Sequence, residues 1–80
     1  MNEQEDHSKK EYIAKLARRI KQLRTEKGHM NYETFAIEHG ISRSQYWRYE
    51  KGEDLRFSSL VRVVNALGVS LEEFFSEGFD

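Results

Sequence analysis

Arg43, Ser44, Trp47 and Arg48 are the side chains of this sequence best suited to contact another molecule. They stand in one short run, Ser42 to Gly52, in which Tyr46 and Tyr49 lie three residues apart and are expected to share the buried side of a helix. The other four then face outward. Two guanidinium forks, a hydroxyl and an indole on one exposed helix side suit recognition, not bond making. The layout is that of a helix that enters a groove of DNA. It belongs to a longer stretch, FAIEHGISRSQYWRYEKG from Phe35 to Gly52, read as helix, glycine turn and capped second helix.

Catalysis finds no support. The chain lacks cysteine, which excludes thiol chemistry, disulfides and Cys-based zinc sites and suits a reducing cytoplasm. His7, His29 and His39 have no metal-ligand spacing and are expected at the surface. No Ser–His–acid arrangement is evident. The expectation is a protein that is not an enzyme and has no cofactor, metal or small-molecule ligand. The plainer reading of Arg43 and Arg48 is two solvated charges on a surface helix. Trp47 either meets DNA or folds back on the scaffold, and Met30 is read as core or turn filler.

The elements that must position these residues are marked by repeated punctuation. Eighty residues make one small domain with a compact core. There is no proline, and the glycines at 28, 40, 52, 68 and 78 fall between segments of helical periodicity, so the chain reads as all-α with five helices. Ser8-Lys9-Lys10-Glu11 fits a capping box that starts helix 1 near Lys9, and Ile13, Leu16, Ala17, Ile20 and Leu23 form its buried stripe. Asn31 caps a short helix 2 that buries Phe35 and Ala36. Ser42-Arg43-Ser44-Gln45 is a second capping box, only two residues after Gly40, so helices 2 and 3 must cross steeply with Ile41 beneath the corner. Helix 4 is expected from Ser58 or Ser59, burying Leu60, Val63, Val64 and Leu67. Ser70-Leu71-Glu72-Glu73 opens helix 5, with Leu71, Phe74 and Phe75 inward.

Residues 1–8 are read as a polar acidic lead and residues 9–78 as a single domain. The polar start has no signal-peptide core, and no apolar run is long enough for a bilayer, so a soluble cytoplasmic protein is expected. The net charge of −1 conceals a polarity. Between residues 9 and 27, Lys9, Lys10, Lys15, Arg18, Arg19, Lys21, Arg24 and Lys27 face only Glu11 and Glu26, whereas residues 53–80 set Arg56 and Arg62 against six acids. A phosphate backbone responds to local potential, so a basic first half is compatible with DNA.

The chain resembles the lambda-repressor-like, or XRE-type and Cro-like, helix-turn-helix DNA-binding domains. The resemblance covers about Tyr12 to Ser76 and rests on IAKLARRIKQLRTEKG, FAIEHGIS, YEKG and LVRVVNALGVSLEEFF. It implies a five-helix domain that binds operator DNA as a homodimer, with helix 3 in the major groove. Matched position by position, it implies base contacts from Arg43, Ser44 and Arg48. An arginine fork can donate twice to guanine O6 and N7. Ser42, Gln45, Lys51 and Arg56 match positions beside the sugar-phosphate backbone, and Asn31 and Tyr32 stand at the start of helix 2, where a phosphate is favoured. Arg24 and Glu50 match an ion pair linking helix 1 to helix 3. Tyr32 departs from a glutamine common in the family, Tyr46 from an aliphatic core residue and Phe57 from a proline; a phenol cannot copy a bidentate amide, so no base contact carries over to Tyr32.

The resulting expectation is a repressor-like regulator of a roughly palindromic operator. With no effector domain, its regulation is expected from abundance, promoter occlusion or a partner. Leu71, Phe74, Phe75 and Phe79 are read as a dimer or partner surface. Two rival readings are an antitoxin-type regulator that also masks a partner protein, and a helical protein-interaction module that has lost DNA.

Overall fold

Each expected helix forms, and its ends show how. The computed structural model describes residues 3–80, with side chains from His7 onward; residues 1 and 2 of the expected lead lie outside the described residues. The order is α1 (Glu3–Glu26), α2 (Tyr32–Glu38), α3 (Arg43–Lys51), α4 (Phe57–Leu67) and α5 (Leu71–Phe74), with no strand among the described residues. The chain is all-α, as expected.

Helix α1 corrects the expected start near Lys9. It begins at Glu3, so Ser8 to Glu11 lie inside it and do not cap it. Residues 3–8 contain neither glycine nor proline to stop it. At 24 residues it spans about 36 Å at 1.5 Å per residue, most of the 40 Å long axis of the molecule.

The corner between α2 and α3 follows from backbone bonding. The Gly40 N–H donates to the Ile37 carbonyl at 3.2 Å and the Ile41 N–H to the Ala36 carbonyl at 2.9 Å. This pair of bonds requires a left-handed residue between them, and Gly40 supplies it at φ +69°. Ser42 then accepts from the Gln45 N–H at 3.4 Å and starts α3. Gly52 repeats the device at φ +95°, with the Glu53 N–H donating to Arg48.

The core closes around that corner. Ile20 and Leu23 of α1, Phe35 and Ala36 of α2, Ile41, and Tyr46 and Tyr49 of α3 meet Leu60, Val63, Val64 and Leu67 of α4 with Val69 and Phe74. Each Val, Leu, Ile or Phe side chain among them contributes about 1.5–3 kcal/mol on burial. Ala36 is fully buried, which lets α3 approach α2 closely.

The second half brings two more corrections. Helix α4 starts at Phe57, before the expected serines, with Arg56 at its cap and no side-chain capping bond. Helix α5 is a single turn capped by Ser70. One turn offers one buried direction, and Phe74 takes it; Leu71 is 37% and Phe75 44% exposed, against the expectation that both point inward. Phe79 returns from the tail to pack against Phe74 and Phe75, with ring centres 6.1 and 5.0 Å away.

Candidate nucleic-acid interface

Helix α3 divides its side chains between two jobs. Tyr46 and Tyr49 are buried, while Arg43, Ser44, Gln45, Trp47, Arg48 and Lys51 are exposed. Arg43, Ser44 and Trp47 line an open groove of about 500 Å³ together with Tyr32, Glu33 and Ser42. A smaller hollow of about 130 Å³ is lined by Lys21, Arg24, Tyr32, Trp47, Glu50 and Lys51. Tyr32 and Trp47 border both, so the two form one continuous polar surface across α1, α2 and α3.

The orientation of Trp47 is decided by its neighbours. It is 45% exposed, and the Lys51 ammonium stands 5.5 Å above its ring, so the indole stays on the outer side of α3 and does not fold into the core. Both outward arginines have acidic companions: Arg43 Nη1 lies 3.4 Å from Glu33 Oε2, and Arg48 Nε lies 3.8 Å from Glu53 Oε2.

Helix α3 is held in place near its C-terminal end. Arg24 donates from Nε and Nη2 to the two oxygens of Glu50 at 2.7 and 3.0 Å, and from Nη1 to the His29 carbonyl at 2.6 Å. Both side chains are at least nine-tenths buried. The Glu50 carboxylate holds the Arg24 guanidinium above its ordinary pKa, by hydrogen bonding against the opposing effect of burial. Tyr46 lies beside this pair. Its hydroxyl is buried with no hydrogen-bond partner. Burial first, and then the Glu50 carboxylate, push the phenol well above its usual range, so it stays neutral.

A family model described as a helix-turn-helix domain matches residues 15–74. The chain belongs to the helix-turn-helix domain family. No curated protein and no solved structure matches it. Within this helix-turn-helix domain α2 and α3 form the motif, as the lambda-repressor-like resemblance implies. The family supports DNA as partner and is typically non-enzymatic. No helix among the described residues is long and apolar enough to cross a membrane.

Several side chains fall where expected but are already engaged. The Asn31 side chain accepts from the N–H groups of Glu33 and Thr34 at 2.9 and 3.2 Å, which removes two of the donors that a phosphate would use at the start of α2. The Ser42 and Ser44 hydroxyls bond each other at 3.1 Å. Asn31, Gln45, Arg48 and Arg56 line neither hollow, although all four are exposed.

The basic first half is only partly available. Arg19 is 2% exposed and works inside the fold: Nε donates to the Phe74 carbonyl at 2.7 Å and Nη2 to the Glu73 carbonyl at 2.8 Å, satisfying the end of α5. Lys15 donates to the Asp80 backbone oxygen at 2.6 Å and pairs with Glu11. Sequence reasoning missed Glu33 and Lys21 as parts of the site. Their side of the helix is set by neighbours brought in by the tertiary fold, although Lys21 lies one turn before Arg24 and could have been inferred from that spacing.

Other expectations are corrected. Phe74 is fully buried and cannot belong to a surface. Phe75 and Phe79 instead line an apolar hollow of about 240 Å³ with Tyr12, Ile13, Leu16 and Leu60, and Leu71 stays exposed nearby in the chain. His29 and His39 are half-buried against Phe35, with ring centres 5.0 and 4.6 Å from it and 6.3 Å from each other, not free at the surface. Among the described residues no group of three metal-ligating side chains assembles. Met30 is 75% exposed and fills no core.

Proposed function

We propose that this chain is a sequence-specific double-stranded DNA-binding transcriptional regulator, repressor-like and homodimeric, acting in the cytoplasm with residues 9–78 as its DNA-binding unit. The observation that carries this reading is the division of α3: Tyr46 and Tyr49 anchor it while Arg43, Ser44, Trp47, Arg48 and Lys51 stand on the outer side of a helix-turn-helix. Such a helix is set into the major groove. Arg43, Ser44 and Arg48 read base edges, and Trp47 meets thymine methyls or sugars beside them. Asn31, Tyr32, Ser42, Gln45, Lys51 and Arg56 position the domain on the sugar-phosphate backbone.

The apolar hollow beside Phe75 and Phe79, with Leu71, supports self-association across a twofold axis. Two copies would then place their α3 helices about 34 Å apart, one turn of DNA. A second reading, a regulator that also docks a partner protein as antitoxins do, rests on the same hollow. Sedimentation separates the two: a dimer supports the first, and a persistent monomer that still binds DNA supports the second.

Selecting bound duplexes from a random pool tests the reading as a whole. The expected result is enrichment of two related half-sites spaced by one helical turn. No enrichment, together with duplex affinity that does not respond to salt, would overturn it in favour of a protein-interaction module.

A further inference from the structure

Each outward arginine of α3 has a carboxylate beside it, and each carboxylate comes from outside α3. Glu33 reaches Arg43 from α2, and Glu53 reaches Arg48 from the residue after Gly52. All four side chains are about half exposed or more. Neither pair is required by the core, which closes without them. Glu33 also lines the groove with Arg43, Ser44 and Trp47, at the place where the proposed function puts a base pair.

We propose that Glu33 and Glu53 are specificity-determining residues that hold the two reading arginines for bases and against phosphates. The inference rests on the DNA-binding reading given above. Its basis is the difference between the two acceptors an arginine can meet in a groove. A phosphate carries a full negative charge and is repelled by a neighbouring carboxylate. The guanine edge is neutral and offers O6 and N7 as acceptors. A guanidinium has five N–H donors, so one directed at Glu33 leaves the others for guanine, and the pair persists while the base is read. The carboxylate therefore costs little on the correct base pair and more on a bare backbone contact. It also limits the directions in which the Arg43 fork can point, acting through Arg43 as a positioning residue.

The companions differ in reach. Glu33 lies within the groove, so its removal acts on the base pair read by Arg43. Glu53 does not line it, and its contact with Arg48 is longer, so its effect is the smaller of the two.

Glu33→Gln, Glu53→Gln and Glu38→Gln in the full chain test this by fluorescence anisotropy against the selected operator and a random duplex of equal length, over a range of salt. Glu38 stands at the other end of α2 and controls for the loss of one negative charge. Glu33→Gln is expected to tighten random-duplex binding severalfold more than operator binding. Its salt slope on random DNA should steepen by about one, as for one added phosphate contact. Base preference at the pair read by Arg43 should relax, and Glu33→Asp should show the same relaxation while keeping the charge. Circular dichroism melts are expected to match the parent because the pair is exposed. Equal gains on both duplexes, or the same changes from Glu38→Gln, would overturn the inference while leaving DNA binding intact. Parent protein whose duplex binding ignores salt would overturn the DNA-binding reading and this inference with it.

Discussion

Two arginine–glutamate pairs meet α3 near its two ends, and their surroundings give them opposite roles. Arg24–Glu50, between α1 and α3, is a two-pronged contact with both side chains at least nine-tenths buried. Arg43–Glu33, between α3 and α2, is a single 3.4 Å contact with side chains 62% and 49% exposed. Removing one partner of a buried pair strands a charge away from water, whereas an exposed pair gains little because water competes for both ends. The first pair fixes where α3 sits. The second leaves its arginine able to exchange partners.

Breaking the buried pair should give the largest effect. Glu50→Ala is expected to destabilise the fold by about 3–5 kcal/mol in urea denaturation, and to abolish binding to every duplex alike because α3 loses its brace. Exchanging both members for apolar residues, Arg24→Met with Glu50→Leu, should recover much of that loss. If the single variant melts like the parent, the contrast between the two pairs fails.

Arg43→Ala and Arg48→Ala come next. Each is expected to cost about 1–3 kcal/mol on the best operator, far less on random DNA, and little in folding stability. Equal losses on all sequences would refute reading by that arginine. Lys51→Ala should weaken operator and random duplex together and reduce the salt slope by about one, as expected for the phosphate contact proposed for it.

The smallest effect concerns Tyr46, whose phenol lies beside the buried pair. Its folded pKa is raised, so the unfolded chain loses this proton first as pH rises. The stability it contributes is fully present below the ordinary tyrosine pKa of about 10 and is lost progressively above it. Tyr46→Phe should remove this alkaline component and change stability at neutral pH by within about 1 kcal/mol, because the hydroxyl has no partner to lose. Urea titrations at neutral and alkaline pH check both parts.

Much of the motif was legible in the chain because its signals act over a few residues. Asn31, Ser42 and Ser70 cap the helices expected of them, and Gly40 and Gly52 close the two helices of the motif. The spacing of Tyr46 and Tyr49 correctly turned Arg43, Trp47 and Arg48 outward. The start of α1 differs from the expected one because Ser8 and Glu11 match a capping box that a continuing helix also accommodates. Leu71 and Phe75 depart from the expected inward direction because an apolar side chain on a one-turn helix has no periodicity to assign it.

Local residue order sets the succession of helices, their turns and the exposed side of α3, since caps, glycine conformations and the 3.6-residue repeat are properties of neighbouring residues. Tertiary structure alone decided which arginines are scaffold and which are free to meet a ligand. Arg19 and Arg43 carry the same fork; one is spent on carbonyls 54 and 55 residues along the chain, and the other faces solvent beside Glu33. A guanidinium takes its role from whichever acceptors the fold brings within reach, and no local pattern encodes contacts so distant along the chain.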